Sequence, residues 1–540
     1  MKAVDRKLAR DLVRLRGQVL TIALVVACGV ASFVLLRNTA ASLEAARASY
    51  YDRYDFADVF AHLERAPLGL RRRLEALPGA LRVDARVVEP ARLPMPGLPE
   101  PATGVVVSLP EEGRGGPNLV FLRSGRMPEP GRGDEVLVIE TFARAHGLAP
   151  GDALEVVMRG ARRALRVVGV ALSPEYVLAF APGEVTADDK RFAVLWMARE
   201  PLAAALGLGG SFNDVALRLR PGAPAAGAIE ELDRLLAPYG GLGAHDRAKQ
   251  VSSAALAGEL DQLSSFATYV PAIFLFVSAF LLNIVLTRLV HLERAQIACL
   301  KALGYSGREV GLHYLKFALL VAALGAALGV AVGAWLGRGM VGLYAEFYHF
   351  PDARFRLDAG VAAAGALVAV ASAVTGALGA VRGVARLPPA EVMRPPAPAS
   401  YRRGWLERLG LDRALGASGK MVLRELRRRP LRLLLSSAGI GFAVAILVVG
   451  RFLGDSFEAV VRLQFERAQR EDVVVSLTRP APARAVGEIA HAPGVIAAEG
   501  ARTLPVRFRA GPRERDGALH AVEPGGAMRE LVDREGRRVE

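Results

Sequence analysis

The sequence predicts an α-helical membrane protein with a large extracytoplasmic α+β domain, built as four spans in a first unit and a fifth that opens a second. Three observations predict it. Residues 18–36, 266–287, 317–337, 359–381 and 433–450 carry no Asp, Glu, Lys or Arg, each close to the ~20 residues a helix needs to cross a bilayer. Core helices of soluble proteins are rarely so long and so uncharged. The basic excess is confined to alternate connections. Residues 1–17, 288–316 and 382–432 hold net +4, +3 and +9, more than the whole chain's +15. That is the positive-inside pattern, which puts those segments in the cytoplasm and residues 37–265 and 451–540 outside. Between the first and second spans, short β-branched runs alternate with turn residues.

Residues 1–17 read as a basic helical lead-in to the first span, 18–36. Cys28, after Val25-Val26-Ala27, has the form of a lipoprotein-processing box, but apolar residues continue to Leu36, which favours a retained span. The other cysteine, Cys299, falls on the cytoplasmic side, so no pair is expected. Beyond Leu36 a helical stretch leaves the membrane for a strand near Ala57–Leu63, a helix near Leu68–Leu77, a Pro78-Gly79 turn and an extended segment from Leu81. Val105–Val107, Glu135–Ile139, Leu154–Met158, Leu165–Val170 and Phe192–Met197 are strand candidates, parted by turns such as Pro130-Gly131 and Pro150-Gly151. Asn213–Leu219 with a helix near Ala228–Leu236 reads as a second α/β pairing. A polar helix from about Ala244 then climbs into the second span, 266–290.

After the cytoplasmic segment 291–316, the third span (317–337) has Gly325, Gly329, Gly333 and Gly337 four apart. They share one helix face and allow close approach of a neighbour. A short external loop is expected over 338–358, a fourth span over 359–381, a Pro-rich linker within 382–432, and a fifth span over 433–450. The chain also repeats itself at an offset of 414. Arg10-Asp11-Leu12 matches Arg424-Glu425-Leu426, Ser42-Leu43-Glu44-Ala45 matches Ser456-Phe457-Glu458-Ala459, and Tyr51-Asp52-Arg53 matches Phe465-Glu466-Arg467. The second copy stops inside its external domain, as expected of a truncated two-unit protein.

Chemical motifs are missing where an energy source would need them. Gly416-Ala417-Ser418-Gly419-Lys420-Met421 departs from a P-loop, with Ala at 414 and no Mg²⁺-binding hydroxyl at 421. The eight histidines form no H-E-x-x-H or paired metal spacing. No G-x-S-x-G elbow occurs. The spans contain no ionisable side chain of the kind a proton- or ion-coupled path requires. No catalytic residue, metal site or cofactor is assigned, no DNA-binding motif accompanies the positive charge, and the chain is read as a non-enzyme.

Attention therefore falls on residues 291–316. Leu292, Ala295, Cys299 and Leu303 lie on one helical stripe, and Arg294 and Lys301 on another. Gly304 ends the helix. Ser306-Gly307-Arg308-Glu309 is a capping box that starts the next one. Two readings fit: a helix lying on the headgroups, or a contact for a cytoplasmic partner.

The stretch Glu293–Ser306, ERAQIACLKALGYS, resembles the loop of FtsX-like ABC transporter permeases, with Gln296 where many members have Glu. Pro389–Arg394, PAEVMR, resembles that family's P-A-E-A-L-R ending. Gly125-Arg126-Met127-Pro128, Glu135-Val136, Gly151-Asp152 and Val167–Val170 occur in the order of a MacB-type periplasmic core. The resemblance implies a permease subunit in the bacterial inner membrane with a cytoplasmic N-terminus. It would bind no ATP itself and would be driven by a separate cytoplasmic ABC ATPase, with a periplasmic adaptor or a second permease copy as further partners. Glu293, Arg294, Ile297, Leu300, Lys301, Leu303, Gly304 and Ser306 would meet the ATPase. The expected role is export, or lipoprotein or lipid release, by mechanotransmission. The alternatives are an FtsX-type regulator of cell-wall hydrolases and an anchored binding module.

Overall fold

The computed structural model describes residues 3–110, 115–181, 187–386, 430–510 and 513–533, apart from 476, 478–480 and 524–525, together with residue 537. Most of the expected 382–432 linker, the Pro389–Arg394 ending, the P-loop-like stretch and the Arg424–Leu426 end of the repeat lie outside them. The chain divides into two units, Met1–Ser400 and Tyr401–Glu540.

In the first unit, α1 (Ala3–Arg14) and α2 (Arg16–Arg53) are parted by one residue, Leu15. α2 has 38 residues, which at 1.5 Å each is ~57 Å. A hydrocarbon core of ~30 Å takes up about half of that; the rest is a stalk. It delivers the chain to β1 (Val59–Pro67), α3 (Arg71–Glu75) and β2 (Ala80–Arg86).

The β-rich region comprises β3 (Val88–Leu93), β4 (Ala102–Leu109), β5 (Phe121–Gly125), β6 (Glu135–Ile139), β7 (Ala153–Met158), β8 (Ala161–Leu172) and β9 (Phe192–Ala198). α4 (Glu140–His146) follows β6 and α5 (Arg199–Ala205) follows β9. The strand order is β5-β8-β6-β9-β4-β3-β7, and β7 pairs again with the first half of β8, so the sheet closes on itself. β4–β9 and β6–β8 are parallel, the rest antiparallel. β6 is buried along its whole length and β9 almost so, which is why both read as unbroken apolar runs. β3 and β5 escaped the sequence pattern: Pro90 interrupts one, and Arg123 and Ser124 interrupt the other.

The chain then returns through β10 (Ser211–Leu219), α6 (Ala225–Leu236) and β11 (His245–Asp246). The two α/β pieces read from the sequence are one sheet. β10 inserts between β1 and β2, giving the antiparallel order β11-β1-β10-β2. Leu70, Leu74, Leu232 and Leu236 cover one face of it, against Val59, Val83, Val215 and Leu217.

Where the small sheet meets the barrel, a buried ion network forms. Arg86 clasps Glu175 with two bonds of 2.6 and 2.7 Å and donates its Nε to Asp214. His62 Nδ1 is 2.6 Å from the other Asp214 oxygen. Asn118 donates to Glu175, and Gln250, the N-cap of the next long helix, donates to the Glu175 carbonyl. Three strands of the small sheet, the turn that follows β8 and the start of the next long helix are thus fastened at one point. Nearby, burial pushes the Asp84 carboxyl up to about 6. A raised pKa means the native state holds the proton more tightly than the unfolded chain. The associated stability is complete below the ordinary carboxylate value near ~4 and is lost as pH rises through about 6. Asp84→Asn should therefore raise the unfolding temperature at pH 7.5 and flatten its fall between about pH 4 and 6, measured by thermal melts of the detergent-solubilised protein.

Four helices of unit one are long and apolar enough to cross a membrane: α2, α7 (Val251–Leu292), the helix Gly307–Phe347 and the helix Ala359–Arg386, the last within Ala359–Val384. The short helix Arg294–Ala302 is α8, so the latter two are α9 and α10. α7 starts at Val251, later than the polar climb expected from Ala244, and carries the buried Pro271, whose missing N–H leaves one helical bond unmade. α9 runs ten residues past 337, so the loop to α10 is shorter than expected. Leu43, Tyr50 and Tyr51 of α2, Leu256, Leu260 and Leu263 of α7, and Tyr348 and Phe350 of that loop share one apolar core with the barrel. Among the described residues of the second unit, α11 (Pro430–Arg462) is helical throughout 433–450. It continues as a π-helical turn to Ala468, which is 414 residues after Tyr54, the cap of α2. A helix α12 (Arg484–Ala490) and a hairpin of β12 (Arg502–Ala510) and β13 (Arg513–Ala521) follow.

Candidate coupling site

At the end of the bundle away from the barrel, α7 stops at Leu292 because Glu293 leaves helical geometry (φ −94°, ψ 13°). α8 follows for nine residues. Gly304 takes φ +96°, a left-handed conformation that glycine adopts without strain. Ser306 then accepts the Glu309 N–H at 3.2 Å while Glu309 accepts the Ser306 N–H at 2.8 Å, so the capping box is complete and α9 begins. The predicted helix, turn and capped restart are all present.

The side chains divide into two faces. Ile297 and Ala298 are buried in the bundle core and Leu300 packs beside it. Lys301 donates its Nζ to the Val384 carbonyl of α10 at 2.7 Å, and the Arg294 Nε is buried, so both cations turn toward their own chain. The stripe read as Leu292, Ala295, Cys299 and Leu303 exists and points outward: Leu292 is 71% and Leu303 73% exposed, and Ala295 and Cys299 are exposed with them.

Glu293 is buried and held by partners the sequence did not suggest. Its Oε2 accepts Lys7 Nζ at 2.6 Å and the Tyr314 hydroxyl at 3.0 Å. Lys7 also reaches Asp11 at 2.6 Å, and His313 Nε2 lies 3.4 Å from the same Asp11 oxygen. This network joins α1, the α7–α8 break and the start of α9. The overlooked clue was Asp11, a carboxylate on the same face as Leu8, Leu12 and Leu15, where an isolated charge would be costly.

The glycine stripe lies against the first span. A Cβ at Gly325 would come 2.7 Å from the Ala23 carbonyl, at Gly329 2.7 Å from Val30 Cβ, and at Gly333 2.8 Å from the Ala31 carbonyl. Gly337 instead meets the Phe355 ring of the loop. On the other side of the bundle, Asn283 of α7 donates to the Gly376 carbonyl at 2.9 Å, and Ser372 to the Leu275 carbonyl at 2.7 Å. Asn283 and Ser372 thus join neighbouring spans.

Residues 269–389, from the middle of α7 to just past α10, match the family described as FtsX-like permease C-terminal. That stretch of the chain is similar to the C-terminal part of FtsX-like permeases. The chain is also similar to three solved domains. The extracellular domain of the noncanonic ABC-type transporter YknZ from Gram-positive bacteria is 12% identical over 34% of this chain and 97% of that one, with a TM-score of 0.24. The periplasmic region of MacB from Actinobacillus actinomycetemcomitans is 13% identical over 40% and 97%, at 0.24. A permease-protein domain from Porphyromonas gingivalis is 16% identical over 34% and 85%, at 0.22. No curated protein matches the chain.

Proposed function

We propose that this chain is the membrane subunit of an ABC-type export or lipid-release system, driven by a separate ATPase that docks on α8. The observation that carries this reading is the outward apolar stripe Leu292, Cys299 and Leu303, on a short helix fixed between two long ones. Large exposed apolar side chains on a soluble-facing end call for a partner. An ATPase that moved α8 would move α7 and α9 directly, since only Glu293 and the 303–306 turn intervene. α2 and α7 reach from the bundle into the core of the barrel, so the outer domain would receive that motion without any ion path through the spans. The ATP would be bound by the partner, with the N-terminus and α8 on the cytoplasmic side of the inner membrane.

Because Lys301 is bonded to the Val384 carbonyl and the Arg294 Nε is buried, the outward leucines are the cleaner probes. Leu303→Asp should reduce retention of the co-expressed ATPase at least tenfold in pull-down and lower ATP turnover of the complex to match, with no change in the permease's own melting temperature. Undiminished retention and turnover in a Leu292→Asp/Leu303→Asp protein would refute docking on α8.

A further inference from the structure

We propose that α1 is a membrane-surface arm that reads anionic lipid headgroups and sets the position of α8 through Lys7. The inference rests on the reading of α8 as the ATPase contact. Arg6, Arg10 and Arg14 recur every four residues along α1 and are exposed. Opposite them, Leu8 is buried and Leu12 and Leu15 pack against the bundle. Beside the arginines, Val13 is 71% exposed, and the exposed Leu20 and Leu24 follow it on the first span. One residue separates α1 from that span, so α1 emerges where the bilayer surface must be. An amphipathic helix there sinks its apolar edge among the acyl chains and places its cations at the phosphates. The guanidinium fork fits a phosphate with two parallel hydrogen bonds.

The same helix also carries Lys7. Lys7 holds both Asp11 of α1 and Glu293, the residue on which α7 ends and α8 begins, at 2.6 Å. A shift of α1 toward the headgroups carries the Lys7 ammonium with it. Glu293 is buried and has Tyr314 as its other ligand, so it follows the ammonium rather than remain without a counter-charge. Lys7 is thus a positioning residue for α8, and anionic lipid is the ligand that loads it.

The test uses the full chain with its ATPase in vesicles of phosphatidylcholine, with and without phosphatidylglycerol. ATP turnover should rise severalfold with the anionic lipid. Arg6→Gln/Arg10→Gln/Arg14→Gln should flatten that response while the ATPase stays bound. Lys7→Met should flatten it with all three arginines in place, whereas the conservative Lys7→Arg should keep it. A merely structural Lys7 would lower turnover equally in both lipids, which overturns the inference, as does a wild-type response indifferent to lipid. Loss of the ATPase from the triple variant in detergent would assign the basic face to the ATPase instead, and also overturns it. An environment-sensitive dye on Val13→Cys, in a Cys28→Ala/Cys299→Ala background, reads lipid engagement on the permease alone. A shift with phosphatidylglycerol but no ATPase on α8 would sink the docking reading and leave the arm standing; no shift sinks the arm.

Discussion

Gly329→Val is expected to prevent the first and third spans from closing on each other. The new Cβ would stand 2.7 Å from Val30 Cβ and 2.8 Å from the Ala27 carbonyl. A carbonyl on a helix backbone cannot turn aside as a side chain can, so α2 and α9 must separate along their length. Overpacking ordinarily costs 1–3 kcal/mol, and a clash with backbone belongs at the upper end, about 3 kcal/mol. Helix association in a bilayer depends on such close packing. The expected readout is a large fall in the melting temperature of the detergent-solubilised protein, or its loss from the monodisperse chromatographic peak. Gly339→Val supplies the control, since a Cβ there meets nothing within 4 Å. Equal behaviour of the two variants would remove the glycine stripe as the basis of the contact.

Arg86→Met should destabilise the domain built of the two sheets by about 3–5 kcal/mol, the range for removing one partner of a buried ion pair. It leaves Glu175 and Asp214 in the interior without their cation. Burial opposes the charge on Asp214, but Arg86 and His62 overcome it and hold its pKa well below the usual carboxylate range. A depressed pKa stabilises the fold above the ordinary value near ~4 and loses that contribution as pH falls below it. The Arg86→Met deficit should accordingly be full at neutral pH and shrink in acid. Adding Glu175→Gln and Asp214→Asn to Arg86→Met should recover much of the loss at pH 7. Urea melts followed by tryptophan fluorescence would read both effects, because Trp196 lies in the barrel and Tyr176, its ring neighbour, sits beside Glu175.

What the sequence disclosed was whatever a single periodicity or an uninterrupted run could carry. Four of the five uncharged windows fall in helices long and apolar enough to cross a membrane. Four glycines in register marked a packed face, though not that Gly337 would leave it for Phe355. The buried runs at 135–139 and 192–197 marked two barrel strands. Relations between distant segments were hidden. Nothing in Ser211–Leu219 says that it pairs between β1 and β2, and no local pattern connects Lys7 to Glu293 across 286 residues. The face of α8 was hidden for another reason. Periodicity finds an apolar stripe but not its direction, and the stripe through Leu292 and Leu303 turned out to face away from the core while Ile297 and Ala298 filled it.

The length of α7 has a geometric consequence. Its 42 residues span ~63 Å at 1.5 Å each. If the helix pivots near its α8 end, a tilt of about 5° sweeps the far end through roughly 5 Å by that same length. A displacement too small to open the bundle, whose helices are locked at Gly325, Gly329, Gly333 and Gly376, is therefore magnified at the barrel to about the width of a strand spacing. Under the proposed coupling the stalks would serve as lever arms, trading angle within the bundle for distance at the barrel.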